Sequence, residues 1–187
     1  MNKLNIIKKG KEVLNIEARA IKNLSKGLDE SFIKAVNLII KLEGKLILSG
    51  VGKSGNIANK LASSFTSTGV PSIYLNPVDA SHGDMGIVNQ GDVLIALSNS
   101  GESYELSDLI NFSKKKKIKI ICITSNKKSL LSKNADISLI LPMHKEADKL
   151  NIIPTTSTTL CLALGDALCC SVLDLSLIHI SEPTRPY

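Results

Sequence analysis

Five short apolar runs, at residues 45–49, 71–75, 93–97, 118–124 and 137–141, recur along the chain, each followed by small or polar residues and mostly by a helical period. The runs are continuously apolar rather than alternating, so both faces of each strand must be buried. Strands of that kind interleaved with helices make a parallel sheet covered on both sides. The pattern predicts a doubly wound α/β fold with a mainly parallel five-stranded sheet flanked by helices, the helices falling at 56–65, 104–116 and near 129–132. Ahead of the first run, Val13, Ile16, Ala20, Ile21 and Leu24, then Phe32, Ile33, Val36, Ile39 and Ile40, recur at three- and four-residue spacing. That spacing predicts two amphipathic helices within residues 2–43, joined around Gly27-Leu28-Asp29 with Asp29 or Ser31 as cap. A last helix, from 157 to about 173, is apolar nearly all round and is expected to be deeply packed or to lie at a subunit interface.

With 187 residues, 43% of them hydrophobic, the chain can bury one substantial core and is too short for two ordinary domains. The formal charge of +6 suits phosphorylated ligands or nucleic acid without compelling either. Tryptophan is absent and aromatics make up only 3%, so base-stacking surfaces are missing and nucleic acid is not the expected partner. The longest apolar run, residues 160–173, is broken by Gly165 and Asp166 and falls short of the roughly 20 residues a bilayer requires, so no membrane segment is expected. Four cysteines, Cys122, Cys161, Cys169 and Cys170, form no C-x-x-C pair and follow no secretory signal; they read as reduced core residues of a cytosolic protein. Residues 176–187 carry two prolines in their last five positions and resemble a translated cloning or sequencing adapter. The domain is therefore expected to span 1–175, with a foreign tail at 176–187 in which His179 has no role.

The strongest local signal is Ser49-Gly50-Val51-Gly52-Lys53-Ser54-Gly55, directly after one strand and before a helix. Glycines there allow a sharp turn and close approach to an anion, which the N–H groups of the helix start can cradle. A nucleoside-triphosphate loop would need glycine where Ile47 stands. A dinucleotide fingerprint is met formally by Gly50, Gly52 and Gly55, but the acidic residue it wants after the second strand is replaced by Leu75-Asn76-Pro77. A sugar-phosphate loop and a plain packing turn remain. The first needs a partner, and Ser98-Asn99-Ser100-Gly101-Glu102-Ser103 supplies it after the strand at 93–97, although that run could equally be a simple capping loop. A third hydroxyl-rich stretch, Pro154-Thr155-Thr156-Ser157-Thr158-Thr159, precedes the last helix, where it either caps or adds donors to the same site.

In this order, and with Ala80-Ser81-His82-Gly83-Asp84 and Gly165-Asp166-Ala167-Leu168 between and after them, these blocks resemble the SIS (sugar isomerase) domain of bacterial arabinose-5-phosphate isomerases over residues 10–172. The resemblance implies a flavodoxin-like three-layer sandwich and an aldose–ketose isomerase interconverting D-ribulose 5-phosphate and D-arabinose 5-phosphate, in the supply of Kdo for lipopolysaccharide. It implies catalytic roles for Lys53, His82, Glu102 and Glu146, with the two carboxylates as alternative carbon-proton bases and His82 able to reach a neighbouring subunit's site. It implies phosphosugar binding by Ser54, Ser98, Asn99, Ser100 and Ser103, beside the Gly52 and Gly55 turn and the Thr155, Thr156, Ser157 and Thr158 hydroxyls. No metal and no cofactor are implied; a cytoplasmic homodimer or homotetramer is. The family's downstream His-Pro-Gly-Gly segment and paired CBS domains are missing, so a chain with a foreign tail would keep the binding half of the machinery with weakened catalysis. The rival readings are an SIS isomerase of another sugar phosphate, a non-catalytic phosphosugar sensor and a dinucleotide-dependent oxidoreductase.

Overall fold

The computed structural model describes residues 3–181, with side chains through residue 176. Two helices lead, α1 (Lys3–Lys26) and α2 (Glu30–Ile40). Asp29 caps the second by accepting a hydrogen bond from the Ser31 N–H at 2.8 Å. The strands β1 (Leu46–Gly50), β2 (Ser72–Tyr74), β3 (Val93–Leu97), β4 (Lys119–Thr124) and β5 (Ile137–Ile140) form one sheet in the order β2-β1-β3-β4-β5. Every pair is parallel. Between them lie α3 (Lys53–Ser67), the short α4 (Pro77–Ser81), α5 (Ser107–Lys115) and α6 (Leu130–Asn134); α7 (Thr156–Ser181) closes the chain's described part.

The central strands β1, β3 and β4 are buried on both faces, as the interior of a parallel sheet requires, whereas the edge strands β2 and β5 are partly exposed. Leu46, Leu48, Val93, Ile95, Leu97, Ile121 and Ile123 point into a core shared with α1, α2, α3 and α7. The alternate residues Ile47, Leu94, Ala96, Ile120 and Cys122 point into a second core beneath α4, α5 and α6. The result is a three-layer sandwich. At the amino-terminal edge, Asp92 binds β1 to β3: its carboxylate accepts from the Lys45 N–H, the Lys45 ammonium and the Asn89 N–H.

Several expectations need adjustment. The third helix starts at Lys53 rather than 56, because glycines let it begin at once after β1. The chain from 104 opens as a 3₁₀ turn (Tyr104–Leu106) before α5. His82, expected in a loop, ends the helix α4, which starts at Pro77 with Asn76 as cap. Cys122, Cys161 and Cys169 are buried, but Cys170 is exposed, since it falls on the outward face of α7. That helix runs through residue 181, past the expected end near 173 and into the stretch read as a foreign tail; residues 182–187 of that stretch lie outside the described residues. Thr156–Ser176 is long and apolar enough to cross a membrane by length and composition, a property it shares with core helices, and here it packs against α1, α2 and α3.

Candidate functional site

The strand order reverses between β1 and β3, and in open α/β sheets the crevice at the carboxyl ends of strands flanking such a reversal is where ligands bind. The glycine loop leaves β1 there and the serine loop leaves β3 beside it. In the first, Gly52 turns at φ 57° and ψ −120°, a conformation open to glycine alone. No side chain caps α3, so the helix meets the crevice with its first N–H groups free of a cap. Lys53 and Ser54 are its first two residues.

The serine loop is held from below. The Asn99 carbonyl accepts hydrogen bonds from the Thr124 hydroxyl (3.1 Å), the Ser125 N–H (3.0 Å) and the Ser125 hydroxyl (2.7 Å), which tie it to the end of β4. Gly101 has φ 70° and presses on the side chains of Thr124 and Ser129, leaving no room for a Cβ. Within the loop, the Gly101 N–H donates to the Ser98 hydroxyl at 3.0 Å, and the Ser98 and Ser103 hydroxyls lie 2.8 Å apart. The Glu102 N–H donates to the Ser100 hydroxyl at 3.2 Å. The serines are thus ordered by one another and by the backbone, as a preformed cradle of hydroxyls.

A cavity of about 230 Å³ joins the two loops to the start of α7. Lys53, Ser54, Asn99, Glu146, Ser157 and Thr158 line it, together with Val51, Ile57, Pro154 and Cys161. The apolar members were not singled out in the sequence; a short wall of Val, Ile and Pro carries no signal that separates it from core. Burial, with the Glu146 charge adding to it, pushes the Cys161 thiol up to about 12, so it stays protonated and serves as wall. Asn99 Oδ1 is buried and has no hydrogen-bond partner, a deficit a ligand hydroxyl or water can relieve.

Glu146, one of the two carboxylates implied as the base, is half-buried. Its Oε2 accepts from the Thr155 N–H (2.8 Å), the Thr155 hydroxyl (3.1 Å) and the Ser157 N–H (3.2 Å), so the carboxylate caps α7. Burial pushes its pKa up, but the hydrogen bonds from Ser157 and Thr155 outweigh that and hold it below the usual range. The hydroxyl-rich stretch 154–159 is therefore already occupied by an anion from within the chain, and Thr156 is turned fully into the core.

Of the serine loop only Asn99 lines this cavity; Ser98, Ser100, Glu102 and Ser103, and likewise His82, are not among its walls. Glu102 Oε1 accepts from the Leu130 N–H at 3.1 Å, at the start of α6, and lines a separate hollow of about 230 Å³ with Ser103 and Tyr104. His82 is exposed at the end of α4, whose Ser81 hydroxyl donates to Asp108 at 3.1 Å; it is not among the walls of the Lys53 cavity. Larger hollows occur between the α1–α2 turn and β5 (about 400 Å³) and among Lys114, Lys117, Lys119 and Lys133 (about 640 Å³), and neither contains a residue marked by the motifs.

A family model described as SIS domain matches residues 39–171. Arabinose 5-phosphate isomerase KdsD of Yersinia pestis is 44% identical over 164 residues, 88% of this chain and 50% of that protein. The Escherichia coli K12 protein of the same name is 43% identical over the same shares. The chain spans about half the length of these curated relatives. Among solved structures, an E. coli CFT073 protein in complex with a phosphosugar superposes with a TM-score of 0.91 at 35% identity, over 95% of this chain and 94% of that one. Phosphoheptose isomerase GmhA from Neisseria gonorrhoeae, at 18% identity and a TM-score of 0.73, shares the fold. With the family model spanning most of the chain and a solved relative overlapping nearly all of it, the chain belongs to the SIS-domain family.

Proposed function

We propose that the chain is a sugar-phosphate isomerase interconverting D-ribulose 5-phosphate and D-arabinose 5-phosphate through an enediolate. The observation that carries this reading is the convergence of Lys53, Ser54, Asn99 and Glu146 on one cavity at the reversal point of the sheet, in a chain so similar to curated arabinose 5-phosphate isomerases. The uncapped start of α3, beside the serine loop that follows the neighbouring strand, suits a phosphate dianion. Glu146 already fills the start of α7, so the phosphate belongs at α3 and the serine loop, and the sugar hydroxyls extend toward Glu146 and Thr158.

Isomerisation removes a proton from C2 of the aldose, leaves an enediolate, and returns a proton to C1, while the hydroxyl proton of O2 is lost and O1 gains one, so that the carbonyl moves from C1 to C2. Lys53 supplies the positive charge that stabilises the enediolate oxygens. Glu146 is the carboxylate within the cavity and the base of this reading. His82 then acts as the proton shuttle from a neighbouring subunit, which makes a homodimer or homotetramer part of catalysis. The reaction would supply arabinose 5-phosphate for Kdo in the cytoplasm.

A second reading, phosphosugar binding without turnover, is favoured by a specific feature: Glu102 faces α6, and Glu146 is committed to capping α7 with a depressed pKa, which makes it a weak base. An NMR assay of D-ribulose 5-phosphate conversion by this chain, beside Lys53→Ala and His82→Ala, separates the two. Conversion that falls at least about 100-fold in both variants supports the isomerase. Binding of arabinose 5-phosphate without conversion supports the second reading, and neither binding nor conversion overturns both.

A further inference from the structure

Tyr74 ends β2 beside Leu48 of β1, and its hydroxyl donates to the carbonyl of Gly50, the last residue of β1, at 3.1 Å. The far end of the glycine loop returns to the same hydroxyl. A Cβ on Gly55 would lie 2.7 Å from the Tyr74 oxygen and 2.6 Å from the Gly50 carbonyl oxygen, closer than real Cβ contacts come. One phenol therefore braces both ends of the loop whose middle, residues 51–54, carries Lys53 and Ser54. The other ties of the loop are backbone ones, the Gly55 N–H to the Val51 carbonyl at 3.4 Å and the Asn56 N–H to the Gly52 carbonyl at 3.1 Å, so the Tyr74 hydroxyl is the side-chain donor that meets the loop at Gly50. A neighbouring tie, from the Ser49 hydroxyl to the Leu75 carbonyl at 2.7 Å, anchors β1 to the end of β2 but does not reach the loop.

We propose that Tyr74 is a positioning residue of the phosphosugar site, its hydroxyl setting the placement of Lys53 and Ser54 by fastening Gly50 and packing against Gly55. The assignment rests on the reading of the Lys53 cavity as a phosphosugar site. Tyr74 is not among the cavity's walls, so it acts through the residues it holds. Burial, and then the negative charge of Asp79 on α4, push its pKa above the ordinary phenol value, so the proton it donates is retained throughout the neutral and mildly alkaline range. Phenylalanine would keep the ring packed and remove only the donor.

The test is a double-mutant cycle read on binding of D-arabinose 5-phosphate by ligand-detected NMR, which reaches millimolar affinities, for wild type, Tyr74→Phe, Lys53→Ala and the double variant. A hydroxyl acting through Lys53 makes Tyr74→Phe weaken binding by about tenfold in the wild-type background and by less than about twofold once Lys53 is gone. Melting temperatures without ligand, measured on all four proteins, report any general loss of stability. An equal effect in both backgrounds, or none, overturns the assignment while leaving the phosphosugar reading intact. Failure of the wild-type chain to bind overturns both.

Discussion

Glu146 shows how one side chain can be both a candidate for chemistry and a piece of architecture. Its carboxylate is the cap of α7 and a wall of the cavity, and its folded pKa lies below the ordinary value of 4.5. A carboxyl with a depressed folded pKa binds more protons in the unfolded state. It therefore contributes stability that is present above about pH 4.5 and lost as the pH falls through the lower folded value. Glu146→Gln should lower stability near neutral pH by about 1 kcal/mol, through loss of a charged acceptor at a helix start. It should also flatten the fall in stability on the acid side. Urea midpoints measured from about pH 3 to about pH 7 check both; an unchanged acid limb would mean that the carboxylate does not cap α7 in solution.

The end of α5 carries a comparable signature. Lys117 sits at φ 59°, where the Ile118 N–H bonds back to the Ser113 carbonyl at 2.9 Å and the Lys117 N–H to the Lys114 carbonyl at 3.0 Å. This is the six-to-one closure that usually places glycine at the left-handed position. A side chain in that conformation costs about 1 kcal/mol, and the greater freedom of glycine in the unfolded chain offsets part of it, so Lys117→Gly should stabilise the protein by about 0.5 kcal/mol. The denaturant midpoint reads it directly, and a destabilised variant would show that the lysine makes a contact outweighing the strain. The lysines at 114 and 115 otherwise complement the negative end of α5.

The molecule as a whole leaves much apolar surface open. Leu4, Ile6, Ile7 and Leu14 on α1, and Met143, Leu150, Ile152 and Ile153 on the segment before α7, are exposed. The two groups adjoin, since Lys9 of α1 donates to the Ala147 carbonyl at 3.3 Å. Apolar exposure on this scale favours association. The chain should sediment as a dimer or larger at micromolar concentration, and Ile7→Asp with Leu14→Asp should shift it toward monomer. A monomeric wild type would remove the route by which His82 reaches a neighbouring site.

The chain order of the elements, the parallel sheet and the glycine and serine loops at the ends of β1 and β3 follow from the sequence, because each depends on local pattern: continuous apolar runs, helical spacing, and glycines or serines at strand ends. The convergence of Lys53, Ser54 and Asn99 could be anticipated in outline, since strand-end loops share one edge of such a sheet. What 146 and 154–159 do was decided by tertiary structure. Nothing in the sequence around Glu146 says that it turns back onto the start of α7, because a cap from outside the helix depends on where an intervening segment folds. Glu102 and His82 make the same point from the other side. Glu102 neighbours the serines in sequence, but the backbone turn at Gly101 sends its carboxylate to α6; His82 ends a helix set against α5. Sequence spacing determines which residues share an element, whereas the direction of a side chain leaving a turn is set by the packing that surrounds it.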